Sequence, residues 1–297
     1  MKLSYYIMDV FTRQSLSGKP IAVVMRADEI GHERMQAIAS EFGLSETVFV
    51  CKPSNSSHSA TLKIFTPKTE LPFSGHGTVG AGALLAIKER LSGVRFEEHV
   101  GLITAVTAAD GPRRGSARFA LPRLPESEPW DPDGDRIAQA LGLSPSDIGL
   151  GNMVPALYSA GTPYYVVPVR DAGVLREIKL ERRGWRETFP IGDNAVYVFT
   201  ETPEERYCDY AARMFSPGLA NSEDPATGSA AAALIGLLAA AAKQVDGQFD
   251  VTIRQGKEMR RPSLIDLQFR KSGGVLSHAG IGGHAVIVAE GALDLRD

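Results

Sequence analysis

The feature that most restricts the fold is a turn-and-helix pattern that occurs twice. Phe65-Thr66-Pro67 leads through a short loop into Gly75-His76-Gly77-Thr78 and a helix rich in Gly and Ala. Phe215-Ser216-Pro217 leads likewise into Asp224-Pro225-Ala226-Thr227 and a second Ala-rich helix. Aligned on Thr78 and Thr227, the copies stand 149 residues apart, almost half of the 297-residue chain. A repeat at that spacing points to a duplicated domain. Gly80 to Ala83 in one helix and Ala230 to Ala233 in the other leave little polar surface, as in helices buried on all sides. Small side chains also let strands approach closely, so each half is expected to wrap strands around one central helix.

The hydrophobic pattern supplies those strands. They are expected at Tyr5 to Phe11, Ile21 to Met25, Ser45 to Cys51 and Ala60 to Thr66, with a pair at Val100 to Ala108 and Ser116 to Leu121. In the second half they are expected at Tyr164 to Val169, Asn194 to Thr200, Phe249 to Gln255, Ser263 to Arg270 and Ala285 to Ala289. Helices are expected at Glu33 to Phe42, stopped by Gly43, and at Gly77 to Arg90, Asp135 to Leu141 and Thr227 to Lys243. Arg206 to Met214 fits a helix or a mixed segment equally. The proline-rich, acidic stretch from Pro122 to Asp135 reads as a linker. Two domains, 1–125 and 126–297, follow, with room for the C-terminal strands to cross back.

Composition excludes several function classes. Hydrophobic residues at 43% and charged residues at 23% describe an ordinary folded protein. A net charge of −3 and no basic run argue against nucleic acid as a partner. The longest apolar run, Ala230 to Ala242, is too short to span a bilayer, and Met1 to Val10 lacks the pattern of a signal peptide. A cytoplasmic protein without membrane partners is expected. Two cysteines, Cys51 and Cys208, exclude a disulfide framework, and they do not occupy matched positions in the repeated turns, as a two-thiol racemase would need. His278 and His284, six apart in an expected Gly-rich loop, have no acid or sulfur beside them, so no metal site is expected. Gly280-Ile281-Gly282-Gly283 precedes a strand rather than a helix, which leaves a dinucleotide site unsupported.

The chemistry-bearing residues gather at the turns. Unpaired N–H groups and the helix dipole make a helix N-terminus an anion site. Gly75 and Gly228 permit close backbone approach, while Thr78 and Ser229 add hydroxyls. Simple capping by Asp224 and Thr227 would explain one such turn; two matched turns favour a shared carboxylate-binding cleft. His76 and Asp224 are a donor and an acceptor for a substrate's polar groups. Glu46 heads the apolar run Thr47-Val48-Phe49-Val50. A carboxylate there is either partly desolvated, with a pKa raised toward the range for proton transfer, or solvent-facing at a strand start. The sequence does not choose between them.

These motifs together resemble the PhzF family of phenazine-biosynthesis isomerases, which share the diaminopimelate epimerase fold. The resemblance runs through Asp9-Val10-Phe11-Thr12, Gly18 to Val24, Leu44 to Phe49, Phe65-Thr66-Pro67, Glu70 to Thr78, Glu223 to Ala230, and Arg254-Gln255-Gly256 with Met259, Arg261, Pro262 and Ser263. It implies an α+β fold of two pseudo-symmetric domains, each a strand-rich barrel around a central helix. It implies a cofactor-independent isomerase with Glu46 as general acid/base, and His76, Asp224, Ser229 and the backbone at Gly75 and Gly228 on the substrate. The family's best-known reaction isomerises trans-2,3-dihydro-3-hydroxyanthranilate, and a homodimer is also implied. An amino-acid epimerase or racemase, or a ligand-binding member without turnover, are the rival readings. Gly77 stands where Pro is usual, Lys19 and Gly43 where Asn is common, and Arg260 where Gly is common.

Overall fold

β-Branched and aromatic residues mark the most buried strands, and the order in which the strands pair repeats along the chain. The computed structural model describes residues 1–218 and 222–295. It divides into two units, Met1–Pro122 with Gly282–Asp297, and Arg123–Ile281. The first holds β1 (Lys2–Val10), β2 (Lys19–Met25), α1 (His32–Phe42), β3 (Thr47–Cys51), β4 (Ala60–Phe65), β5 (Glu70–Leu71), α2 (Gly75–Glu89), β6 (Gly93–Glu98), β7 (Gly101–Ala109) and β8 (Arg114–Ala120). The second holds β9 (Glu126–Glu128), α3 (Gly134–Leu141), β10 (Ala156–Ser159), β11 (Pro163–Pro168), α4 (Ala172–Glu177), α5 (Trp185–Thr188), β12 (Val196–Glu201), β13 (Tyr210–Phe215), β14 (Glu223–Asp224), α6 (Gly228–Ala241), β15 (Gly247–Gln255) and β16 (Ser263–Ser272). The last strand, β17 (Val275–Asp294), starts in the second unit and ends in the first.

In the first unit β1–β2 is antiparallel, β2–β3 parallel, β3–β4 and β4–β5 antiparallel, β4–β6 parallel and β6–β7 antiparallel. The second unit repeats that series with β10–β11, β11–β12, β12–β13, β13–β14, β13–β15 and β15–β16. The helices fall in the same gaps: α1 answers to α4 and α5, and α2 to α6. The first unit closes on itself, because β17 pairs with both β1 and β8. Each unit is thus a strand-rich barrel around a central helix, and the fold is α+β.

The small residues of the central helices are explained by what surrounds them. α2 is buried from Gly75 to Ile87 and packs against β1, β2, β3, β7 and β8. β8 comes so close that a Cβ at Gly115 would lie 2.9 Å from the Ala83 carbonyl oxygen and 2.9 Å from that of Ala108. α6 packs against β9, β10, β11 and β16, and a Cβ at Gly236 would lie 2.3 Å from Cδ1 of Tyr158. On the other faces, Met35, Ile38 and Ala39 of α1 cover Phe49 and Phe65, while Trp185 and Phe189 join Ile137 and Leu141 over Tyr165, Val167, Val196 and Val198. Strands covered on both faces read as continuous apolar runs, as Val48-Phe49-Val50 and Val196-Tyr197-Val198-Phe199 do.

The structure departs from the sequence reading in specific places. Arg206 to Met214 is a turn followed by β13, whose Ala-Ala-Arg-Met centre carries little β signal. β6 and β10 have no counterpart in the sequence reading; β6 places Val94, Phe96 and Glu98 inward and Gly93 and Arg95 outward, a pattern masked by its charges. The proline-rich stretch contains β9. His278, His284 and the glycines between them lie inside β17, not in a loop. The repeat itself is offset differently. Phe65 pairs with Glu70 and Phe215 with Glu223, and the central helices begin at Gly75 and Gly228. Glu70-Leu71-Pro72-Phe73-Ser74-Gly75 therefore matches Glu223-Asp224-Pro225-Ala226-Thr227-Gly228, 153 residues apart rather than 149. The second copy has three residues more between its Phe and its Glu, which displaced the alignment made on Thr78. Among the described residues no helix is long and apolar enough to cross a membrane.

Candidate functional site

In the first unit the site grows from the β5–α2 turn. Ser74, extended at φ −150°, caps α2, its hydroxyl accepting the Gly77 N–H at 3.3 Å. The same hydroxyl lies 3.2 Å from Nδ1 of His76. Glu46 arrives from the start of β3, held by the backbone bond from Ala22 N–H to its carbonyl, 3.2 Å. Its Oε2 sits 3.5 Å from His76 Nδ1, and both residues are buried, at 8% and 4% exposure. Glu46 is therefore buried rather than solvent-facing. A Cβ at position 77 would lie 3.2 Å from Glu46 Oε2, so Gly77 leaves room beside the carboxylate.

Burial, and after it the positive charge of Lys19, hold His76 well below its ordinary pKa, so the imidazole is neutral. The surroundings assign its proton: Ser74 Oγ and Glu46 both face Nδ1, where an N–H is attracted to each. Nε2 is buried and has no partner among the described residues.

Behind this turn lies a residue the sequence reading missed. Glu98, the last residue of β6, points inward and is 9% exposed. Its Oε1 lies 2.8 Å from the Thr78 hydroxyl, which is also 2.8 Å from the Ser74 carbonyl oxygen. Burial pushes Glu98 up to about 7, against the Thr78 hydrogen bond and with help from the nearby charge of Glu46. Its neighbour Glu97 points the other way and stays well below the usual carboxylate range, because it accepts the N–H groups of Ser54 and Asn55 and bonds with His58 and Thr61. Thr78 is wholly buried, with its N–H on Ser74 O at 3.0 Å. The helix starts at Gly75, so Thr78 is a first-turn residue facing protein rather than a helix start.

In the second unit the matched turn is held by Gln255 of β15. Its Oε1 accepts the N–H of Thr227 at 3.1 Å and the hydroxyl of Tyr197 at 3.2 Å. Its Nε2 donates to the Asp224 carbonyl at 2.7 Å and to Thr227 Oγ1 at 3.1 Å. The Thr227 hydroxyl donates to Asp224 Oδ2 at 2.5 Å. Ser229, half-buried in the first turn of α6, shares a 2.7 Å hydrogen bond with the Tyr164 hydroxyl. By the pairing register, Asp224 matches Leu71, not Gly75, and Ser229 matches His76. The matched caps are Ser74 and Thr227. Glu223 next door is fixed by Arg213, whose Nε and Nη2 each donate to it at 2.9 Å.

The cysteines stand apart from both turns. Burial, with Asp28 nearby, pushes the Cys51 thiol up to about 11. Burial also raises Cys208, which contacts Thr202 and Glu205. Among the described residues no three His, Cys, Asp or Glu side chains gather as a metal site, and the ring of His284 meets Arg13 at 2.8 Å.

Known proteins resemble this chain over nearly its whole length. The family model for phenazine biosynthesis-like proteins, PhzC-PhzF, matches residues 8–291. An uncharacterized isomerase of Mesorhizobium japonicum is 42% identical over 298 residues, covering 98% of each chain. The trans-2,3-dihydro-3-hydroxyanthranilate isomerase of Pseudomonas aeruginosa is 30% identical over 287 residues, 97% of this chain and 98% of that protein. The crystal structure of a Bacillus anthracis PhzF-family protein superposes with a TM-score of 0.84 at 23% identity, covering 99% and 100% of the two chains. A hydroxyproline epimerase from Agrobacterium vitis, at 13% identity and TM-score 0.60 over 100% of this chain and 93% of that one, shares the fold.

Proposed function

The chain belongs to the phenazine biosynthesis-like PhzC-PhzF family, whose relatives named above include isomerases, and on that premise we propose that it isomerises a small carboxylate substrate by a proton shift carried on Glu46. The observation that carries the reading is a desolvated carboxylate placed beside a neutral imidazole at the first turn of a buried helix. Glu46 takes a proton from a substrate carbon as the C–H electron pair moves into the conjugated system. It then returns that proton to another carbon of the same system, so no co-reactant is consumed. His76 directs its buried Nε2 to a substrate polar group. The N–H groups of Gly75 and His76 are not taken by the Ser74 cap, and α6 has no side-chain cap, so the Gly75 and Gly228 backbones supply anion contacts. In the second unit the family resemblance assigns Asp224 and Ser229 to substrate binding, and in the first Thr78 serves the turn from behind.

An epimerase would need a second acid/base at the matched caps. Ser74 and Thr227 stand there, and their hydroxyls are poor bases near neutral pH, which favours the single-carboxylate reading. The test uses trans-2,3-dihydro-3-hydroxyanthranilate in D2O, followed by NMR, with wild type and Glu46→Gln. The amide keeps the shape and removes the titrating group, and general acid–base groups contribute about 10²- to 10⁴-fold, so kcat should fall by at least that lower figure. Ligand Kd should move far less. A variant that turns over within a few-fold of wild type makes Glu46 structural. Failure of wild type to act on this probe, with exchange into a related carboxylate, would move the substrate and leave the chemistry.

A further inference from the structure

We propose that Glu98 is a positioning residue of the Glu46 site: a buried carboxyl whose protonated form donates to Thr78 and so fixes the first turn of α2, and whose ionisation is coupled to that of Glu46. Glu98 occupies an inward slot of β6, following Val94 and Phe96, where the strand's alternation calls for an apolar side chain. An ionised group there is costly unless every lone pair finds a donor. Oε2 of Glu98 is buried with no partner among the described residues, so the site does not meet that demand.

The hydrogen bonds around Thr78 say the same independently. Its single hydroxyl proton faces two acceptors at 2.8 Å, the Ser74 carbonyl and Glu98 Oε1. A carbonyl cannot donate, so both contacts are hydrogen bonds at once only when Glu98 brings the second proton. The chain then runs from Glu98 O–H to Thr78 and from Thr78 O–H to the Ser74 carbonyl, while the Ser74 hydroxyl oxygen accepts from His76 Nδ1–H. Glu98 thereby sets the cap that aims His76. Of the groups around it, Thr78 on α2 is neutral, Gly101 across β7 has no charge, and Glu97 on its own strand faces outward into the Ser54–Thr61 loop. The charge that acts on Glu98 is Glu46. Two buried carboxylates near one another do not readily ionise together. Loss of the proton from Glu98 is therefore opposed by a charge on Glu46.

This inference rests on the reading of Glu46 as the base for its consequence, while its test uses no turnover and can fail separately. The experiment is a carboxyl ¹³C NMR titration of the full chain labelled at glutamate, with the Glu98 resonance identified by its loss in Glu98→Gln. Glu98 should titrate near pH 7, and its midpoint should fall in Glu46→Gln, where the repelling charge is gone. Glu98→Gln should fold normally, because its amide N–H donates to Thr78 as the neutral acid does. A Glu98 midpoint in the ordinary carboxylate range, an unchanged midpoint in Glu46→Gln, or an unfolded Glu98→Gln would each overturn the proposal. A merely space-filling Glu98 would keep its midpoint unchanged in Glu46→Gln.

Discussion

Buried polar side chains near the turns each answer to a specific neighbour, and their protonation follows from that neighbour. His76 is kept neutral by burial and by Lys19, so the Lys that replaces the commoner Asn reaches the site electrostatically. Cys51 and Cys208 are both held as thiols, since burial raises both, and a thiol is a weak nucleophile. Replacing both with Ala should leave turnover largely intact. A loss beyond about a hundredfold, roughly 2.7 kcal/mol of barrier, in a folded variant would contradict that. Two other departures from the family pattern have a backbone reading. Gly43 closes α1 at φ 61°, a left-handed conformation that Gly and Asn both tolerate, so their exchange there is neutral. Arg260 adopts φ 58° where Gly is common, with its side chain exposed, in a turn whose Arg261 N–H bonds the Gly256 carbonyl at 3.0 Å.

Among the elements, the central helices and the strand ends that clamp them decide where the turns sit. α6 is held at its start by a side chain from another strand: all four polar contacts of Gln255 go to Tyr197, Asp224 and Thr227. Gln255→Leu keeps the volume and removes the partner of the buried Thr227 N–H and of the buried Tyr197 hydroxyl. Each such group costs about 1–3 kcal/mol, so the variant should lose about 2–6 kcal/mol in denaturant unfolding. A loss under about 0.5 kcal/mol would show that water replaces the clamp. The Ser74 cap does the corresponding service in the first unit, with the Thr78–Glu98 contact behind it.

At the scale of the molecule, the two units share one strand. β17 begins beside β16 after the Gly273-Gly274 turn and ends between β1 and β8. The nine pairs from Lys2↔Asp294 to Val10↔Ala285 make it an integral wall of the first barrel. Ending the chain after Ile281 removes that wall and exposes the edges of β1 and β8. Hydrogen exchange on the truncated chain should show protection lost through residues 1–122 and retained in β12, β13 and β15. Equal protection of both units in the truncated chain would mean that β17 is dispensable to the first barrel.

The sequence by itself determined the duplication, the small-residue helices, most strands of the apolar kind, and the residues of the two turns, because each leaves a local mark. Gly and Ala runs, Pro-x-Ser/Thr-Gly turns and unbroken Val-rich stretches declare themselves within a few residues. Tertiary structure alone decided that Glu46 is buried, since a Glu at a strand start is equally at home in water. It also decided the offset of the repeat, which rests on the pairing of Phe65 with Glu70 and Phe215 with Glu223 across loops of unequal length. Glu98 was invisible for the same reason: in Gly93-Val94-Arg95-Phe96-Glu97-Glu98 the two acids look alike. Strand alternation turns one outward to a ring of donors and the other inward against Thr78, and only the partners supplied by α2 and the start of β3 make that inward carboxyl different.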